Sequence, residues 1–148
     1  MIGKRILELD RVDSTNVYAG KLLAQNKLRE GDVIWAHDQF AGRGQHDHSW
    51  SSEPDRNLTV TIVFRPVFLD PGQQFLLNKA VSLAVVDYIC RVLPLDHELR
   101  IKWPNDIYID NRKAGGILIE HRILGNVLDT SLVGIGLNVN QMDFHEDV

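Results

Sequence analysis

Cysteine is nearly absent from this sequence. Cys90 is the single one in 148 residues, which rules out an intrachain disulfide and fits a reducing compartment. Its place in the apolar run "AVSLAVVDYIC" predicts a buried structural thiol. Long apolar runs are missing too: no segment reaches the roughly 18 uninterrupted apolar residues of a membrane span. The opening "MIGKRILELDRVDSTN" carries charges inside its first apolar run and has no signal-peptide core. A cytoplasmic protein is the expectation. No basic stripe stands out and the formal net charge is −4, which argues against bulk nucleic-acid binding, because phosphate-binding surfaces cluster their lysines and arginines. A G-x-x-x-x-G-K-[ST] phosphate loop, a Rossmann glycine pattern after the first strand and a G-x-S-x-G elbow are all lacking. If ATP is used, another architecture binds it.

What is present is an ordinary globular composition, 44% hydrophobic and 24% charged, at a length that makes one domain with a real core. No repeat, low-complexity tract or Pro/Gly/Ser linker divides the chain. A short strand around Ile6 to Leu9 precedes "DSTNVYAGKLLAQNK", a helix with Asp13 or Ser14 as N-cap and Val17, Leu22 and Leu23 on its apolar face. "DVIWAH" reads as a strand, and "NLTVTIVFRP" alternates Leu58, Val60, Ile62 and Phe64 as a half-buried strand does. "PGQQFLLNKAVSLAVVDYICRVL", begun by Pro71, spaces its apolar residues as a central core helix. "LRIKW", "DIYID", "KAGGILIEHRI" and "VLDTSLVGIGLNVN" form a meander, with turns at Asp110-Asn111 and Gly125-Asn126. The expected class is therefore α+β, a mixed but largely antiparallel sheet packed against helices.

Four places could carry chemistry. In "QFAGRGQHDHSW", Gln39 to Trp50, Gly42 and Gly44 permit positive φ and close approach of backbone N–H groups, and with Arg43 make an anion-binding concavity or an ordinary turn. In "KWPNDIYIDNRKAGG", Pro104 ends a strand, Asn105 and Asp106 occupy the turn, and Lys102 and Lys113 come near one end of a hairpin. A positioned ammonium stabilises a carboxylate or charge developing on a phosphoryl group. In "GIGLNVN", Gly134 and Gly136 mark either a bulge or a close approach, and Asn138 either reads a base edge or closes a turn. His37, His46, Asp47 and His48 are a weak metal-site candidate without a further partner at a recognised spacing.

Taken in order, "DSTN", "QFAGRGQHDHSW", "KWPNDIYIDNRKAGGILIE" and "VGIGLNVN" resemble the catalytic domain of biotin–protein ligases and span nearly the whole chain. The resemblance implies the class II synthetase-like biotin/lipoate ligase fold. It implies joining of biotin to ATP as biotinyl-adenylate, then transfer of biotin to a lysine of a biotin carboxyl carrier domain. Carried over by motif, Ser14, Thr15 and Gln39 would hold the ureido ring, and Gly42, Arg43 and Gly44 would wrap the valeryl carboxylate and phosphate. Trp50 would pack on the adenylate side. Lys113 would be the principal cation, with Arg43 beside it, and Asp106, helped by Asn105, would position Mg²⁺ or the target lysine. Lys102 would support the phosphates, Gly115, Gly116, Gly134 and Gly136 would let backbone close on the ligand, and Asn138 would meet adenine.

Two departures from the family pattern bear on activity. Gln45 stands where an arginine normally helps retain the adenylate, and the following His46-Asp47-His48 replaces a basic run and a glycine. The chain also stops at Val148, where the family pattern continues with more catalytic domain and a small C-terminal barrel-like domain. The expectation is thus a catalytic domain over 1–148 shortened at its C-terminus, without the N-terminal DNA-binding domain of some members and without operator binding. Biotin, ATP and a carrier domain are the expected partners, with a homodimer as one assembly the family adopts and no membrane. Two alternatives stay open: a lipoate–protein ligase, and a module that binds biotin or its adenylate with weak transfer.

Overall fold

The computed structural model describes residues 1–46, 48–94, 96–142 and 144. Its elements follow the chain as β1 (Ile6–Val12), α1 (Thr15–Ala24), β2 (Val33–Gln39), β3 (Gly42–Arg43), β4 (Ser49–Trp50), β5 (Asn57–Phe64), a 3-10 turn (Pro71–Gln73), α2 (Gln74–Val92), β6 (Leu99–Lys102), β7 (Asp106–Ile109), β8 (Arg112–Leu124) and β9 (Val127–Asn138). Seven strands make one sheet in the order β1-β2-β5-β9-β8-β7-β6, and β3 pairs with β4 in a separate small hairpin. β1 and β2 run parallel, joined through α1, as a parallel pair requires a crossover. Every other pairing in the large sheet is antiparallel. The α+β expectation holds.

The turns follow the local chemistry of their residues. Asp110 and Asn111 both take positive φ, 48° and 66°, the pair of left-handed conformations that a tight hairpin turn needs and that Asx side chains tolerate. Gly125, at φ 59°, turns the chain between β8 and β9.

The two helices lie on opposite faces of the sheet, because adjacent residues of one strand join different cores. Val63 and Leu132 pack with Ala19, Leu23, Leu28 and Ile34 under α1. Ile62 and Val133 pack with Val81, Val85 and Ile89 of α2.

Four expectations change here. Strand β5 is covered on both faces, and its more buried face is the one carrying Thr59, Thr61 and Val63, which are 2%, 0% and 0% exposed, rather than the alternating Leu58, Val60, Ile62 and Phe64. Its place at the middle of the sheet is the reason. On α1 the buried set is Thr15, Asn16, Ala19 and Leu23, with Val17 and Leu22 only partly buried. Helix α2 is not a central helix: only Val81, Ser82, Val85 and Ile89 are buried, while Leu76, Tyr88 and Val92 are exposed. Cys90 is likewise exposed, because the sheet takes just one stripe of the helix and the thiol lies off it. Among the described residues, no helix is long and apolar enough to cross a membrane.

Candidate active site

The N-terminus of α1 meets the end of β2 and the middle of β5 in a chain of short polar contacts. Ser14 is the N-cap but makes no capping bond with its side chain. Instead Gln39 Oε1 accepts from the Thr15 backbone N–H at 2.8 Å and from its hydroxyl at 3.1 Å. Thr61 Oγ1 lies 2.8 Å from Thr15 Oγ1 and 2.6 Å from Asn16 Oδ1, and Thr59 Oγ1 donates to the Ala36 carbonyl at 2.7 Å. Asn16 Nδ2 donates to Leu118 O at 3.2 Å and to Glu120 Oε2 at 2.9 Å. Thr15, Asn16, Gln39, Thr59 and Thr61 are buried and need one another, since an unpaired polar group away from water is costly. Beside them, the Ser14 N–H and the Lys21 ammonium hold the Asp13 carboxyl below its ordinary range.

The Gly-Arg-Gly segment folds into the small β3–β4 hairpin, with Gly42 opposite Trp50 and Arg43 opposite Ser49. Among its described residues the left-handed one is His46, at φ 50°, and neither Gly42 nor Gly44 has positive φ. The expectation about the glycines is corrected in kind: Gly42 serves close approach. A Cβ there would overlap the Trp50 carbonyl oxygen and the Gln39 side-chain amide. The hairpin therefore presses Trp50 onto the sheet. A Cβ at Gly136 would lie 2.5 Å from Trp50 Cε2, and one at Gly116 would lie 3.2 Å from Trp50 Cζ3. The indole rests on a platform of bare backbone.

The site's lysines come from the β6–β7–β8 hairpins. Lys102 is paired with Asp106 across β6 and β7, so Asp106 starts a strand rather than sitting in the turn. The register shifts between Ile107, opposite Gly115, and Tyr108, opposite Lys113. The extra residue, Ala114, is a bulge that turns Lys113 to the same face as Asp106 and Gly116. Lys113 Nζ then lies 3.2 Å from Asp106 Oδ1 and 5.9 Å from the centre of the Trp50 ring. Asn105, buried in the turn, donates to Ile117 O at 2.8 Å, and its own carbonyl accepts the Ile117 N–H at 3.0 Å. That clamp fixes the hairpin against β8.

These parts open onto one cavity of about 340 Å³. Ser14, Thr15 and Gln39 line it from the α1 side, and Arg43, Gly44, Gln45 and Trp50 from the small hairpin. Lys102, Asn105, Asp106, Lys113 and Gly116 line it from the other side, and Gly134 and Gly136 from β9. Three expected residues stand apart. Gly115 faces the apolar core, where a Cβ would meet the Leu137 side chain. Gly42, within the hairpin, is held against the Trp50 carbonyl and the Gln39 amide, and Asn138 donates to Lys113 O at 3.3 Å. Gly134 borders the cavity, but a Cβ on it would meet Asn16 Oδ1 at 2.6 Å, so it seats a protein side chain.

Sequence reasoning missed Asn16 as part of the site, together with Thr59, Thr61 and Glu120. The available signal was the period-2 pattern: the threonines occupy the alternate positions of a strand read only for its apolar face. Among the described residues, two side-chain atoms are buried with no hydrogen-bond partner: Trp50 Nε1, on a residue that lines the cavity, and Asn138 Oδ1, which lies off the cavity beside Lys113. An orphaned donor on a cavity-lining residue is what a ligand with its own acceptor would satisfy.

The metal candidates separate. His37 is held by Glu8 at 2.7 Å and Asp55 at 2.8 Å, while His46 and His48 line the cavity and Asp47 lies outside the described residues. No group of three His, Cys, Asp or Glu side chains able to hold an ion occurs among the described residues. Asp106 supplies one carboxylate to the cavity, enough for a Mg²⁺ that takes its other ligands from phosphates and water.

Residues 8–138 match the model of the biotin/lipoate A/B protein ligase family. The chain belongs to that family. It is 34% identical over 151 residues to the bifunctional ligase/repressor BirA of Bacillus spizizenii, covering 100% of this chain and 45% of that protein. A biotin–[acetyl-CoA-carboxylase] ligase of Paracoccus denitrificans is 36% identical over 133 residues, 88% of this chain and 53% of the relative. The chain thus spans about half the length of these curated relatives. Among solved structures, the biotin protein ligase of Leishmania major in complex with biotinyl-5-AMP superposes with a TM-score of 0.80 at 29% identity, over 97% of this chain and 61% of that one. The class and family expected from the four motifs are those found.

Proposed function

We propose that this ligase-family chain is a biotin–protein ligase catalytic domain, activating biotin with ATP and passing it to a lysine of a carrier domain. The observation that carries the reading is the cavity itself. Neutral hydrogen-bonding groups occupy one wall, and Arg43 and Lys113 supply two cations beside an indole resting on glycines.

In the first step the biotin carboxylate attacks the α-phosphorus of ATP, forming biotinyl-adenylate and releasing pyrophosphate. Ser14, Thr15 and Gln39 hold the neutral ureido end, and Arg43 and Lys113 offset the negative charge where carboxylate meets phosphate. Asp106 keeps the Lys113 ammonium in place, and Mg²⁺, when bound, would share Asp106 and neutralise phosphate charge. Trp50 packs on the adenylate side and Asn138 braces Lys113 through its backbone carbonyl, while Lys102 and Asn105 steady the phosphate side. In the second step the carrier lysine's amine attacks the acyl carbon and AMP leaves. The carboxylase named with the Paracoccus relative supports a carboxylase carrier domain as acceptor. A cytoplasmic setting and a homodimer complete the proposal.

The test is mass spectrometry of the chain with biotin, ATP and Mg²⁺, followed by addition of a carrier domain. Biotinyl-adenylate and then labelled carrier are expected. Pyrophosphate exchange driven by lipoate and not by biotin would replace this reading with the lipoate one, and tight biotin binding with no adenylate would reduce the chain to a binding module.

A further inference from the structure

One carboxylate reaches into the site without lining its cavity. Glu120 follows Leu118 on the cavity face of β8, and its two oxygens go to two different elements. Oε2 accepts from Asn16 Nδ2 at the start of α1, at 2.9 Å. Oε1 lies 3.5 Å from an Arg43 guanidinium nitrogen on β3. We infer that Glu120 is a positioning residue for the adenylation reaction, holding the Arg43 guanidinium toward the ligand's anionic centre while locking the α1 end of the site. The inference rests on the proposed function and adds a residue to it.

The Asn16 end of this link is rigid. Asn16 is 3% exposed, its amide also donates to Leu118 O, its carbonyl lies against Thr61, and its seat exists because Gly134 has no side chain. The Arg43 end is the adjustable one, with a side chain 54% exposed. A guanidinium has five N–H donors in a fixed fork, so a carboxylate on one edge leaves the others for a second anion. Left unanchored, a side chain that long and that exposed would spread over many rotamers, and the ligand would have to gather it. An exposed ion pair adds little to stability. Its value at this position is geometric.

The test is a double-mutant cycle on Glu120→Gln and Arg43→Gln, read by biotin-dependent ATP–pyrophosphate exchange. Glutamine retains an oxygen to accept from Asn16 but loses the charge that holds Arg43, so the melting temperature should stay close to that of the parent chain. kcat/KM for biotin should fall about tenfold with Arg43 present, the weight of one charge-assisted contact, and less than about twofold in the Arg43→Gln background. If exchange in the Arg43→Gln background is too slow to follow, the same cycle is read on biotin affinity by calorimetry. An equal loss in both backgrounds, or no loss in the first, would overturn the role of Glu120 and leave the proposed function standing. A parent chain that makes no adenylate would overturn both.

Discussion

The two faces of the central strands do different jobs with the same backbone. Toward α2, Leu58, Ile62, Ile117, Val133 and Leu137 make a plain aliphatic surface. Toward α1 and the cavity, the same strands present Thr59, Thr61, Gly116, Gly134, Gly136 and Glu120. The aliphatic face tolerates incomplete cover, since an open 290 Å³ hollow remains beside α2, lined by Ile62, Val85 and Tyr88 among others. On the cavity face the hydroxyls and amides are nearly all mutually bonded, and the places without side chains are filled by Trp50 and Asn16. Dispersion and water exclusion need only contact, while polar groups need named partners. Substitutions should therefore act on stability from one face and on ligand chemistry from the other.

The largest effect should come from the aliphatic face. Ile117 is fully buried, and Ile117→Ala should cost about 4 kcal/mol in chemical denaturation through lost contacts and the cavity left behind. Lys113→Ala should lower the rate of adenylate formation by about a hundredfold in pyrophosphate exchange, and weaken biotin binding in calorimetry much less, because its charge acts where charge develops. Equal losses in the two measurements would place Lys113 in ground-state binding. Thr61→Val keeps the shape and removes the hydroxyl shared by Thr15 and Asn16. It should cost about 1–2 kcal/mol and loosen biotin binding several-fold. A stability loss without a binding change would make that network structural only.

The smallest effect concerns pH and two histidines of opposite sign. Glu8 and Asp55 raise the His37 pKa above its ordinary 6.5. Its stabilising contribution is therefore fully present below about pH 6.5 and is lost as pH rises through the higher folded value. Burial lowers the His121 pKa below 6.5, so its cost appears as pH falls through 6.5 toward the folded value and below. Melting temperatures measured from pH 5 to 8.5 should show His37→Gln flattening the alkaline side and His121→Gln flattening the acid side. The same slope in both variants would remove the assignment.

Much of this was readable in one dimension. Alternation and helical spacing give the strands and helices, Asp110-Asn111 gives its turn, and four short motifs give the family. Burial on both faces of β5 was not readable, because the alternation of Leu58 with Thr59 looks the same whether the threonines meet solvent or each other. Nor was the aim of Lys113. Its distance along the chain from Gly116 would set it on the core side of a regular strand, and only the pairing of β7 with β8 reveals the bulge at Ala114.

By itself, then, the sequence determined which residue types are available and which local conformations they favour, because propensity, period and turn chemistry act over a few neighbouring residues. The tertiary structure alone decided which of them converge. Asn16 meets Glu120 across 104 positions of chain and Thr15 meets Thr61 across 46, and contacts of that separation depend on strand order and register, which no local pattern specifies.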